Sequence, residues 1–524
     1  MNGYIAHLDQ WIGALGILAY LILFGIKSLT RLRFFTNDSM NYVDIARNIL
    51  AGRGIVQSTL GFNEPDFSID VSGYSPVTAQ PPGYPLLIAF FSKLGLSPTN
   101  AALLIPVISY GLILSATYLL TRTFYDDRFA PAAAVCLLLF YPLRKICSYA
   151  WSEAASIAFL TISFWLCAYI GTGPESTPWL LLVAGVAIGL AFAIRYALLP
   201  AFFLGILFFV VPADWAQTVY RLCFYVSGFL LPACLVLSFN LHSSKTLSGQ
   251  KRLSSTLTLR ENIHATLRTI LGCYLSEGFS ELQIVAIQFI LLALSLALLF
   301  QNRLLASVET TLFGGKRAFL ILWLIGYLMF LVYQRTRYHL NRISVRLTAP
   351  ASILVVPSCI AILMSAFVLD AHVYALLIIT VILAALVREI RDIVSRPIVN
   401  EDSRINSSER LQWIAQHVSA DDLVIGDDTV DVPFYLGRPG VISFSPYPFT
   451  NRPDYHKIVA YCQAHSDKYK RFILILRKRF YTEEAWQYYY GSFISGIING
   501  HVDNYSHIRF LCQLEDGYVF ELFI

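Results

Sequence analysis

Residues 37–54 read NDSMNYVDIARNILAGRG. The spacing predicts a short amphipathic helix from Ser39 to about Leu50, with Ile45, Ile49 and Leu50 on its apolar side and Gly52 as its stop. What lies on either side of it decides the fold. An apolar run at 11–29 precedes it, and a Pro/Gly/Asp-rich loop follows, closed by PPGYPLLIAFFSKLG at 81–95. Beyond that, apolar runs recur near 98–121, 129–143, 152–171, 178–194, 196–212, 218–240, 282–300, 317–334, 348–367 and 370–388. Together they make about eleven candidate spans, each judged against the roughly 20 apolar residues that one helical crossing needs. The polar helix therefore sits in the first long loop of a membrane protein, residues 30–97.

Composition agrees. Of 524 residues, 56% are hydrophobic and 14% charged, with a mean hydropathy of +0.58. A soluble chain carries roughly a quarter charged residues, so one large water-soluble core is excluded. The net charge of +5 reflects Lys and Arg at helix ends, and no basic run is long enough for a nucleic-acid partner. The first apolar run lacks a basic leader and a small-residue cleavage site, so it reads as a retained helix. The nine cysteines have no metal-ligand spacing, and only Cys462 with Cys512 is a candidate bridge.

After Arg388 the composition changes. SSERLQWIAQHV (407–418) predicts an amphipathic helix with Ser N-cap candidates, and DDLVIGDD (421–428) a buried strand. RFILILRKRF (471–480) and YVFELFI (518–524) alternate like strands. The expected architecture is a polytopic α-helical membrane domain over 1–397, including the loop 30–97, followed by a small soluble α/β domain over 398–524.

Four constellations could carry chemistry. Asp38 heads the loop helix; as an N-cap it would be held ionised and aimed, which a general base also requires. Glu153 opens a hydrophobic span beside Tyr149 and Trp151, with Arg144 and Lys145 just upstream. It reads equally as a first-turn acid behind a Ser152 cap or as a cavity-facing charge. Arg195 stands between two apolar runs, where a charge needs a partner. Arg335, Arg337, Arg342 and Arg346 precede a further span; they suit headgroup binding or bidentate phosphate recognition. The sequence has no P-loop, no GxGxxG after a strand, no HExxH and no GxSxG, so nucleotide-driven transport, dinucleotide chemistry and zinc hydrolysis lose their signatures. Asp126 and Asp127 read as loop and cap residues.

Four segments then carry a resemblance: the acid after the first span with YVDIARNILAGRG behind it, PPGYPLLIAFFSKLG, SEAASIAFL (152–160) and GLAFAIRYALLP (189–200). In order and spacing the chain resembles the GT-C membrane glycosyltransferases, which include protein O-mannosyltransferases, bacterial aminoarabinose transferases and the RgtA/B/C/D-like enzymes. The likeness is to the general bacterial branch, because Ser39 and Asn41 stand in the first-loop motif and Gln80 precedes the Pro-Pro pair. It implies a polyprenyl-phosphate sugar donor, inversion at the anomeric carbon, and an acceptor of unidentified class that offers a hydroxyl or amine. It also implies a bacterial plasma-membrane location with the long loops and tail extracytoplasmic, whereas the count of Lys and Arg on that face points to the cytoplasm.

The resemblance makes Asp38 the general base and Glu153 a second catalytic acid. Arg195, with Arg337, Arg342 and Arg346, becomes a candidate for the donor phosphate; Tyr42, Gln80, Tyr84, Arg144 and Lys145 become candidate substrate contacts. The chemistry requires no metal or other cofactor, with a divalent cation left as an alternative. Apart from substrates and membrane lipid no partner is implied. The competing class is a transporter or flippase of lipid-linked saccharides, whose basic residues would line a path.

Overall fold

In the computed structural model the described residues are 2–30, 35–61, 74–77, 80–125, 127–172, 178–209, 215–247, 249, 258–264, 266, 318–337, 345–366, 371–395, 405–406, 408–427, 430–438, 441–444, 455–477 and 507–524. The chain forms two compact units. One comprises Met1–Leu29, Thr78–Leu87 and Asn100–Pro397; the other comprises Thr30–Val77, Ile88–Thr99 and Ile398–Ile524.

In chain order the helices are α1 (Asn2–Leu29), α2 (Asn37–Leu50), α3 (Gly83–Lys93), α4 (Pro98–Phe124), α5 (Phe129–Leu139), α6 (Tyr141–Cys147), α7 (Ser152–Thr172) and α8 (Pro178–Ile194). They continue as α9 (Leu199–Phe209), α10 (Trp215–Ser244), α11 (Ala318–Arg337), α12 (Val345–Thr348), α13 (Ser352–Ala366), α14 (Ala371–Ser395), α15 (Glu409–His417), α16 (Asp431–Leu436) and α17 (Tyr455–Ala464). The expected apolar runs fall on these helices, except for 282–300, which lies outside the described residues. By length and composition, four described helices can cross a membrane, or five if the bent α5–α6 pair is one span. The protein is an integral membrane protein.

Among the described residues the first unit is helical. Polar side chains inside its apolar helices bond to the helix's own carbonyls: Ser109 to Ile105, Thr121 to Thr117 and Thr161 to Ile157, each at 2.7 Å. Such bonds remove the cost of an unsatisfied hydroxyl in an apolar setting. Where α8 meets α10, glycine replaces side-chain interlock. A Cβ on Gly185 would overlap the Tyr225 carbonyl, one on Gly189 the Pro232 ring, and one on Gly228 the Leu182 carbonyl. The residues 185–189 form a small-xxx-small face that lets the two backbones touch, a recurrent means of packing helices in lipid.

The second unit holds an antiparallel pair, β1 (Val56–Gln57) with β3 (Ser75–Pro76), and a six-stranded sheet from β2 (Thr59–Gly61), β4 (Asp422–Asp427), β5 (Val441–Phe444), β6 (Arg471–Arg477), β7 (Ile508–Leu514) and β8 (Gly517–Leu522). The order is β2-β5-β4-β6-β8-β7, with the first four strands parallel and β8 antiparallel to both neighbours. The Ser N-cap expected in 407–418 is Ser408, whose Oγ accepts the Leu411 N–H at 3.2 Å. Leu411, Ile414 and Val418 pack on Val424, Ile473, Ile475 and Val519. The Arg410–Asp431 ion pair is buried beside them. Cys462 and Cys512 are both free, so the candidate bridge is not formed, and burial pushes the Cys462 thiol up to about 12.

The first loop departs from the expected boundary. Residues 30–97 were expected to go with the membrane helices, yet Thr30–Val77 cluster with the tail. β2 extends the tail's sheet beside β5, and α2 packs on α16, with Phe35 against Phe434 at 5.4 Å and Arg47 Nη1 donating to the Phe434 carbonyl at 2.7 Å. Pairing between strands almost 400 residues apart leaves no local trace in the sequence.

Gly185→Ala forces the α8 and α10 backbones apart and is expected to cost about 1–3 kcal/mol, as overpacking does. Gly326→Ala, at a helical glycine with open space around it, is the control. Melting in detergent should fall for the first and not for the second.

Candidate functional site

The loop helix forms as expected, from Asn37 to Leu50, but its N-cap is Thr36, whose Oγ1 accepts the Ser39 N–H at 3.5 Å. Asp38 is therefore a first-turn acid at the positive end of the helix, and not the cap. Gly52, at φ +76°, closes the helix by bonding its N–H to the Ile49 carbonyl at 3.1 Å. Asp44, which sequence reading passed over, is buried and receives both the Ser58 N–H and hydroxyl at 2.7 Å. Burial pushes its carboxyl above the usual range, and the two Ser58 bonds act against that rise. With Asn48, which donates to Val56 O and Ser58 Oγ, it ties α2 to the strand β1 (Val56–Gln57). Tyr42 is buried on the same helix.

In the helical unit Glu153 and Arg195 come together. Glu153, at the head of α7, is 1% exposed. Its Oε1 forms an ion pair with Arg195 Nη1 at 2.7 Å and accepts a hydrogen bond from Arg346 Nε at 2.6 Å. Arg195 Nη1 also lies 3.3 Å from Ser152 Oγ. The break between α8 and α9 exists because Arg195 takes an extended backbone (φ −149°, ψ 111°) before the single turn Tyr196–Leu198. The start of α3 is pressed onto this break: a Cβ on Gly83 would lie 2.5 Å from the Ala193 carbonyl oxygen. Arg346 is carried by α12, which Tyr327 of α11 anchors through its hydroxyl to the Leu347 carbonyl at 2.7 Å.

Two guanidiniums thus share one carboxylate oxygen. The carboxylate is enclosed, whereas the Arg195 and Arg346 side chains are 21% and 25% exposed. Two partly exposed guanidiniums on one carboxylate are a residue set suited to phosphate recognition. Glu153 Oε2 is buried with no hydrogen-bond partner among the described residues.

The other candidates fall elsewhere. Arg144 belongs to a second buried cluster, donating to Glu389 Oε1 at 3.4 Å, while Lys27 pairs with Glu389 and reaches Asp392 at 3.2 Å. Tyr20 donates to the same carboxylate at 3.3 Å. Lys145 lies over the Tyr141 ring at 5.4 Å. Tyr84 is enclosed, and its hydroxyl donates to the Ala102 carbonyl at 3.1 Å, which packs α3 on α4. Gln80 Oε1 is buried just before that helix, with no hydrogen-bond partner among the described residues. Arg337 is exposed and donates to its own helix's Tyr333 hydroxyl at 2.9 Å, Arg335 is buried on α11, and Arg342 lies outside the described residues. Asp127 pairs with Arg122 at 2.8 Å in its loop. Among the described residues no group of three or more His, Cys, Asp or Glu could hold a metal ion.

Sequence reading missed the Lys27–Glu389 cluster because both residues sit near helix ends, where charges ordinarily reach for water. The available signal was their companions: Tyr20 at one end and Arg144 at the other are the partners a buried carboxylate requires.

Residues 79–240, which contain Gln80, Glu153 and Arg195, match a family profile described as dolichyl-phosphate-mannose-protein mannosyltransferase. The architecture is similar to that of ArnT from Cupriavidus metallidurans bound to undecaprenyl phosphate, with a TM-score of 0.55 and 12% identity over 98% of each chain. The chain has the GT-C fold. The apo form of the same ArnT is similar at a TM-score of 0.56, with the same identity and coverage. The GT-C arabinofuranosyltransferase AftD from Mycobacteria is similar over 98% of this chain and 40% of its own, at a TM-score of 0.52 and 11% identity. No curated protein sequence matches.

Glu389→Gln removes the one carboxylate that Lys27, Arg144 and Tyr20 share. Breaking a buried pair by deleting one partner costs about 3–5 kcal/mol, so a clear fall in melting temperature in detergent is expected, and an unchanged melt would mean the cluster is solvated.

Proposed function

We propose that the protein is a membrane glycosyltransferase that moves a sugar from a polyprenyl-phosphate donor to an acceptor hydroxyl or amine, with inversion, at the extracytoplasmic face of a bacterial plasma membrane. The observation that carries this reading is the Glu153–Arg195–Arg346 cluster, in which one enclosed carboxylate oxygen holds two partly exposed guanidiniums. As the bond from the anomeric carbon to the phosphate oxygen breaks, both its electrons go to the phosphate. Fixed guanidiniums stabilise that growing charge without reorganising. Glu153 holds both arginines by one oxygen and so positions them.

The acceptor must lose a proton as its oxygen or nitrogen bonds to the anomeric carbon. Asp38, in the first turn of a helix at its positive end, is the group we assign as base. The family profile supports a lipid-phosphate sugar as donor class, and the ArnT complex with undecaprenyl phosphate supports the lipid. Arg195, Arg346 and, in an accessory role, Arg337 and Arg342 are the residues we assign to the phosphate. The tail then serves to bind the acceptor.

The test is transfer of labelled sugar from a polyprenyl-phosphate donor by purified protein. Asp38→Asn should lower kcat by about 10²–10⁴, the usual worth of a general base, while donor binding is kept. Arg195→Gln should weaken donor and product-lipid binding together. Full activity of a folded Asp38→Asn protein would sink the base assignment; purified protein that moves lipid-linked sugar across vesicles without transferring it would overturn the enzyme reading in favour of a transporter.

A further inference from the structure

Three residues before α7 the chain makes a tight turn in which the Trp151 N–H bonds to the Tyr149 carbonyl at 2.7 Å. The turn brings both rings to one side, where they stack with centroids 4.3 Å apart and planes 11° from parallel. The outer face of Trp151 carries the Arg346 guanidinium, whose carbon lies 4.1 Å from the ring centroid. Trp151 is 7% exposed, so this contact is formed away from water, where a cation over an indole ring is worth most.

Arg346 needs such a hold. It sits on α12, a helix of four residues, too short to fix a long side chain by its own regularity. Its Nε donates to Glu153 Oε1 at 2.6 Å, which sets one edge of the guanidinium. The indole ring adds a second hold from the same segment, with the guanidinium carbon over its face. Trp151 and Glu153 are two residues apart at the head of α7, so the ring and the carboxylate grip the same guanidinium from one segment.

We propose that Trp151, backed by Tyr149, is a positioning residue that orients Arg346 toward the phosphate of the lipid donor. This rests on the lipid-phosphate reading above and adds to it the residue that decides how one of its arginines is aimed. Trp151 itself need not touch the substrate.

The experiment measures undecaprenyl phosphate binding to purified protein, and KM and kcat for a lipid-phosphate sugar, in wild type, Trp151→Phe, Trp151→Leu and Arg346→Ala, and with each Trp151 change placed on Arg346→Ala. Trp151→Leu should weaken lipid binding about three- to tenfold, the range of a buried cation–ring contact. Trp151→Phe, which keeps a weaker ring, should fall between it and wild type. KM should rise with kcat nearly unchanged, because the contact is present before the reaction as well as during it. In the Arg346→Ala background neither change should weaken binding further. If Trp151→Leu does not fold, the Phe variant in the two backgrounds decides. A Trp151 effect that persists without Arg346, or wild-type binding by Trp151→Leu, overturns the proposal. Failure of the wild type to bind undecaprenyl phosphate overturns the lipid-phosphate reading instead.

Discussion

A carboxylate enclosed among apolar helices must bring its own counter-charge, because desolvation of an unpaired ion costs more than packing can return. Glu153 meets that demand twice over, and the geometry around it follows. Arg195 can reach it only because α8 ends at Ile194 and the chain turns extended for one residue. Arg346 can reach it only because a short helix is hung from Tyr327 and laid on Trp151. The second arginine is more than one carboxylate requires, and both guanidiniums stay partly exposed.

The helix packing behind this arrangement relies on small residues and on satisfied polar groups more than on apolar surface. Lipid tails are as apolar as leucine, so burying leucine between helices gains little. The direct backbone contact of α8 with α10 at Gly185 and Gly228, and of α3 with α8 at Gly83, fixes where α8 ends and hence where Arg195 stands. The Lys27–Glu389–Arg144 cluster applies the same charge rule in the same unit, joining α1, α14 and α6. Because α6 runs into the Tyr149–Trp151 turn, that cluster also steadies the approach to the site.

In the other unit the first loop is stiffened by its own contacts. Asp44 and Asn48 clasp Ser58, β2 extends the tail's sheet, and Arg47 bonds α16. Asp38 stands on the first turn of a helix held along its length.

Much was legible in the sequence for physical reasons. Apolar runs long enough to cross a membrane need no partner to be recognised, so the helical membrane class and the helix positions follow from composition and spacing. Glycine at 52 as a stop, Ser408 as a cap and Glu153 and Arg195 as charges in need of company are also local signals. Tertiary structure alone decided which charges pair. Arg144 joins Glu389 and not Glu153, Arg346 alone of its described cluster reaches Glu153, and the first loop lends a strand to the tail. Each of these joins residues tens to hundreds of positions apart, and a pairing energy that depends on distance in space leaves no mark in the order of residues along the chain.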